Sequence, residues 1–348
     1  MERWQKSLRE GLTDVGVVAR RFGLDEAKLR EVAEAFRFRV SRYYYSLIRE
    51  KGDAIYRQCI PDPAELEGNA DLMDDPLAEE RHSPVPNVVQ RYPDRCLLLV
   101  SNECATYCRF CTRKRKFGAH GGIDPSNLEA AFQYIEAHAE VRDVLVSGGD
   151  PLLLPDARLG EILRRLRAIP HVEIIRIGTR TPCTLPERIT VKLARLLKQF
   201  HPLYVHVHFE HPDELTPAAV KALARLADAG IPLGCQTVLL KGVNDDPKVM
   251  KALMHKLLQA RVRPYYIFQS DLVYGTEHFR TPLSKGVEII RSLRSWTSGL
   301  ACPHFVIDLP DGGGKVPVSP DYLLRRNGRK MTFQTYRGET RVYPDITE

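Results

Sequence analysis

The sequence has no apolar run long enough to span a bilayer. Its opening stretch, MERWQKSLREGLTD, is charged throughout and lacks the apolar segment of a leader peptide. Both absences predict a cytoplasmic protein without a membrane partner. No GxGxxG occurs, so nothing supports a dinucleotide-binding fold. Structural zinc sites usually bring two CxxC units, and only one is present, Cys108 with Cys111. Eight cysteines in 348 residues are not a disulfide framework in a compartment that keeps thiols reduced. Five of them, Cys59, Cys96, Cys183, Cys235 and Cys302, are scattered through mostly apolar stretches and read as small buried hydrophobes. The net charge of +7 permits an anionic partner without requiring one.

What is present is a rhythm. Residues 1–60 read as a helical region, with apolar residues at helical spacing in VGVVARRF and DEAKLREVAEAF. Residues 61–90, rich in Pro and Asp, read as an extended connecting segment. From Arg95 onward, short apolar runs alternate with helical stretches: CLLLVS, DVLVSG, EIIRIGT, LYVHVHF, GCQTVLL, YYIFQS and HFVIDL. Such alternation indicates parallel βα units. Six units plus a last strand are too few for an eight-unit barrel. The fold expected is therefore α/β: a partial (βα)6 barrel over residues 91–320, with an N-terminal helical extension and a short C-terminal tail at 321–348.

In such folds the chemistry lies beyond the C-terminal strand ends. The polar groups found there are a cysteine loop, Gly148-Gly149-Asp150, Arg180, His206 and His208, Gln236, Asp271, and Asp308 followed by Gly312-Gly313-Gly314-Lys315. The loop, CATYCRFCTRKRK, spaces Cys104, Cys108 and Cys111 as CxxxCxxC. A 4Fe–4S cluster normally takes four cysteines, so three leave one iron open. A competing reading is a zinc-containing nucleic-acid binder, with His120 the nearest fourth ligand and residues 113–116 as the basic footprint.

The loop resembles the signature of the radical S-adenosylmethionine (SAM) enzymes, in which the open iron chelates SAM. The likeness is closer still to the lysine 2,3-aminomutases. It runs through SGGDPLLL, IRIGTRTP, HFEHP, VLLKGVND, DLVYGTEHFRTPLSKG and GGGKVPV, over nearly the whole chain. That resemblance implies a radical-SAM barrel, a 4Fe–4S cluster on Cys104, Cys108 and Cys111, SAM, and pyridoxal 5′-phosphate (PLP). Lys315 matches the lysine that binds PLP covalently, and Arg91 and Arg95 match its arginine contacts. Gly148, Gly149, Asp150, His208 and Gln236 match positions near SAM. Arg113 matches the partner of the substrate α-carboxylate, and Asp271 with Asp308 the pair that grips the ε-ammonium of lysine.

The activity implied is transfer of the α-amino group of a basic amino acid, L-lysine first, to the β-carbon. The alternatives are a lysine of elongation factor P, arginine or glutamate. An electron donor for the cluster and a homo-oligomer are implied as partners, and nucleic acid is not. In longer members an intersubunit zinc uses a cysteine after VND and a C-terminal cysteine group. Here Asp246 follows Asn244-Asp245 and no C-terminal cysteines occur, so that zinc is not expected. Pro310-Asp311 and Tyr274 also depart from the family pattern.

Overall fold

The computed structural model describes residues 2–117, 124 and 128–346. His120 lies outside the described residues. Nine strands form one sheet in chain order: β1 (Val88–Tyr92), β2 (Arg95–Leu99), β3 (Asp143–Ser147), β4 (Ile174–Thr179), β5 (Leu203–His208), β6 (Leu233–Leu239), β7 (Arg263–Gln269), β8 (His304–Leu309) and β9 (Gly314–Pro317). Strands β2 to β8 are parallel, and β1 and β9 pair antiparallel at the two edges.

Among the described residues one principal helix returns the chain between each pair of parallel strands: Glu129–Ala137, Asp156–Ala168, Val191–Leu197, Pro217–Asp228, Pro247–Gln259 and Leu283–Leu293. The six βα units and the last strand are those read from the sequence. Alternation along the strands separates two faces. Val144, Val146, Ile175, Ile177, Val205 and Val207 are buried in the core. The alternate positions are half-buried and touch across strands, as Arg176 does Asp143 and Tyr265 does His206. That second, polar face lines the lumen.

The N-terminal helices dock onto the strand ends that carry the cysteine loop. Asp14, Asp25, Ser41 and Asp53 cap four of them through their side chains. Trp4 packs with Ala105, Leu153 and Leu185, which ties the first helix to the loop.

Three features depart from the sequence reading. β1 lies inside and just beyond the segment read as a connector, and it forms a hairpin with β2. Lys315 lies on an edge strand, β9, with Lys315 opposite Asp308 in register. The tail is a three-stranded antiparallel sheet, β10 (Leu323–Asn327), β11 (Lys330–Gln334) and β12 (Thr340–Pro344). Gly328, at φ 52°, sits in the two-residue turn joining Asn327 to Lys330, a backbone state that favours glycine.

Candidate active site

The cysteine loop follows β2 directly. Cys104, Cys108 and Cys111 are free thiols and half-buried. Cys104 and Cys111 pack against Val89, Leu99 and Tyr107. Burial pushes the Cys104 thiol well up, and Cys111 up to about 11, with Cys108 raised for the same reason. Thiols in such a setting ionise when a cation binds them, as an iron site requires. Among the described residues no three His, Cys, Asp or Glu side chains gather as ligands of one metal ion. A cluster instead takes each thiolate on a different iron, and this donor set suits it.

Gly148 and Gly149 fit a tight approach, though against protein. A Cβ on Gly148 would come within 2.4 Å of the Ser101 carbonyl, and one on Gly149 within 2.5 Å of the Glu103 carbonyl. Gly148 also has φ 133°. Both glycines thus hold the β3 turn against the start of the cysteine loop. Asp150 is buried and accepts hydrogen bonds from Thr179 Oγ1 and from the amides of Leu152 and Arg180. His208 and Gln236 are neighbours, with their Nε2 atoms 2.7 Å apart, and Tyr265 donates to Gln236.

At the opposite edge of the lumen, Arg91 Nη2 lies 2.6 Å from Asp308 Oδ1, and Lys315 Nζ lies 3.0 Å from Asp308 Oδ2. The Tyr92 hydroxyl accepts from the Lys315 amide and from Arg91. Arg95 stacks on the Tyr92 ring at 3.9 Å and pairs with Asp94. Among the described residues Arg91 Nη1 is buried with no hydrogen-bond partner. A buried guanidinium with an unused donor fits a phosphate oxygen, so Lys315, Arg91 and Arg95 suit an aldehyde cofactor that carries one. Asp271 accepts from Thr112. Burial, and after it the Asp308 charge, pushes its carboxyl up to about 6. Two carboxylates in such a place favour an incoming cation.

The basic run is held inside the protein. Arg113 forks onto Glu79 through Nε at 2.8 Å and Nη2 at 2.7 Å, and Lys116 reaches the same carboxylate at 3.0 Å. Arg115 pairs with Asp75 and Glu80. Lys114 and Arg109 share Glu65, which is fully buried. The 61–90 segment is thus an acidic strap over the cysteine loop. Its carboxylates occupy the very cations that a nucleic-acid footprint would need free. Arg180 was placed on the rim without a role, and Glu65, Glu79 and Tyr92 escaped the sequence reading. The acid-rich strap and the basic run were both visible there, and their opposite signs were the available signal.

A sequence profile of the radical SAM superfamily matches residues 98–253, and one for lysine-2,3-aminomutase matches residues 290–348. The L-lysine 2,3-aminomutase of Fusobacterium nucleatum is 48% identical over 349 residues, covering 98% of this chain and 82% of that protein. That of Clostridium subterminale is 48% identical over 324 residues, covering 92% of this chain and 78% of that protein. The glutamate 2,3-aminomutase of Clostridioides difficile is 43% identical over 343 residues, covering 97% of this chain and 81% of that protein.

Proposed function

We propose that this chain, which belongs to the lysine 2,3-aminomutase family of radical SAM enzymes, moves the α-amino group of L-lysine to the neighbouring β-carbon. It is an aminomutase, an isomerase by reaction class. The observation that carries the choice of substrate is the carboxylate pair: burial and the nearby Asp308 charge raise the Asp271 carboxyl, and Asp308 itself holds the cations Arg91 and Lys315.

Bound together, the cluster and SAM supply a radical able to remove hydrogen, and PLP supplies a carbonyl that takes up an amino group. The chain's own residues do the rest. Lys315 presents its amine for covalent attachment of PLP. Arg91 and Arg95 hold the phosphate. Arg113, steadied on one edge by Glu79, keeps its remaining N–H groups for the substrate carboxylate. Asp271 and Asp308 receive the far ammonium. Holding both ends fixes the β-hydrogen in the lumen, where the acidic strap and the N-terminal helices limit water.

The test is anaerobic incubation of the iron-loaded protein with reductant, SAM, PLP and a panel of amino acids, reading β-amino acids by mass spectrometry. Turnover of lysine well above glutamate is expected. Turnover of glutamate without lysine or arginine overturns the two-carboxylate argument.

A further inference from the structure

Arg180 follows β4 and stands on the same rim as the cysteine loop, yet the proposed reaction leaves it without a task. Its side chain is 9% exposed. Nη1 donates to Cys108 Sγ at 2.8 Å. Nη2 donates to the Tyr44 hydroxyl at 3.0 Å, to Glu214 Oε1 at 2.8 Å and to Gln58 Oε1. Nε is buried without a partner among the described residues. The Arg180 amide is fixed to Asp150 at 2.8 Å. Rings of Tyr44 and Phe110 each lie 5.2 Å from the guanidinium carbon.

A merely structural arginine would turn both arms of its fork onto oxygens, as Arg180 does with Nη2 alone. This one turns an arm onto the sulfur of an expected cluster ligand, and three side chains from the N-terminal helices and the β5–β6 connection lock the other arm. The guanidinium therefore cannot swing away when the charge on the sulfur changes. One-electron reduction of a cluster adds negative charge to iron and to its thiolate sulfurs. A fixed cation and hydrogen bond on one of those sulfurs stabilise the reduced form over the oxidised one. Glu214 opposes part of that charge but sits on the far arm.

We propose that Arg180 is a positioning residue that raises the reduction potential of the cluster held by Cys104, Cys108 and Cys111. The electron comes from an external low-potential one-electron donor, and Arg180 neither gives nor takes one. This rests on the reading of the three cysteines as cluster ligands.

The experiment is an EPR-monitored redox titration of the reconstituted protein, with dithionite as reductant and iron content measured on the same samples. Wild type is compared with Arg180→Met and Arg180→Lys. At a fixed poise the Met variant is expected to hold about tenfold less reduced cluster, a shift of about 59 mV for one electron. The Lys variant, which keeps the charge and shortens the reach, is expected to shift less. Equal midpoints at equal iron content overturn the proposal. A fold-independent arm uses wild type grown on 15N-arginine: pulsed EPR of the reduced cluster should show a 15N coupling, and its absence overturns the proposal too. Failure of the wild type to take up iron instead removes the cluster reading, and this proposal falls with it.

Discussion

Arg91 on the first strand of the sheet and Asp308 on the eighth are 2.6 Å apart, though 217 residues separate them in the chain. Their pairing brings one edge of the open sheet to the other, and Lys315 joins on the second oxygen of the same carboxylate. Asp308 is 6% exposed. Its charge is met by two cations, Arg91 and Lys315, that both have other roles in the proposed reaction. Asp308→Asn is expected to raise the KM for lysine at least tenfold, in line with loss of one buried ion pair. Covalent PLP, read from its visible absorbance, should remain because Lys315 is intact. Unchanged KM would remove Asp308 from the ammonium site.

In the proposed reaction Asp271 makes the grip on lysine dependent on pH. Its carboxyl value in the fold, about 6, lies above the ordinary 3.8. An acid raised in this way binds its proton more tightly in the fold than in the unfolded chain. Charge on Asp271 therefore costs stability above about pH 6, by about 3 kcal/mol in full. That cost is absent below about pH 4. Lysine affinity is expected to fall about tenfold per pH unit below 6, measured by calorimetry on the anaerobic holoenzyme. Asp271→Asn should flatten that slope and raise the ligand-free melting temperature at pH 7.

Glu79 works with the opposite sign. Burial alone would raise its carboxyl, but Arg113 and Lys116 outweigh it and hold the value at about 2. Its stabilisation is present above about pH 4.5 and lost as pH falls toward 2, about 3 kcal/mol in all. Glu79→Gln should therefore cost most of that at pH 7 and less than half of it at pH 3, read from denaturant midpoints at the two pH values. An equal cost at both would mean that packing, and not charge, is what Glu79 contributes.

The Glu65 cluster is a matter of stability. Glu65 is fully buried between Arg109 and Lys114, so its removal strands two buried cations. Glu65→Gln is expected to destabilise by about 3–5 kcal/mol in urea unfolding. The exposed helical pair Glu26 with Arg30 is the control, and its loss should leave the urea midpoint nearly unchanged. A Glu65→Gln cost as small as the control's would show that the strap does not depend on this charge.

The barrel was legible because each βα unit announces itself locally, through a short apolar run and an amphipathic return. The cysteine loop stood out for the same reason, since its three cysteines fall within eight positions. Arg91 beside Asp308 was not, because their meeting depends on how far the whole sheet curls. β1 was missed because VVQRY is short and sits at an edge, with two of its five residues fully buried. The tail hairpin was missed although Asn327-Gly328 is a turn signal, because its strands are mostly exposed and bury no continuous face. Lys114, Arg115 and Lys116 were left without a role because their partners lie in a segment without periodicity. A segment need not be regular to be bound by charge.

The most direct measurement follows the nitrogen itself. Lysine labelled with 15N at the α-amino group and 13C at carbons 2 and 3 is turned over by the reduced, SAM- and PLP-loaded protein, and the product is read by 13C NMR. The account predicts that the 15N coupling leaves carbon 2 and appears on carbon 3, with the ε-nitrogen unlabelled. A label that stays on carbon 2, or departs as ammonia, would contradict it.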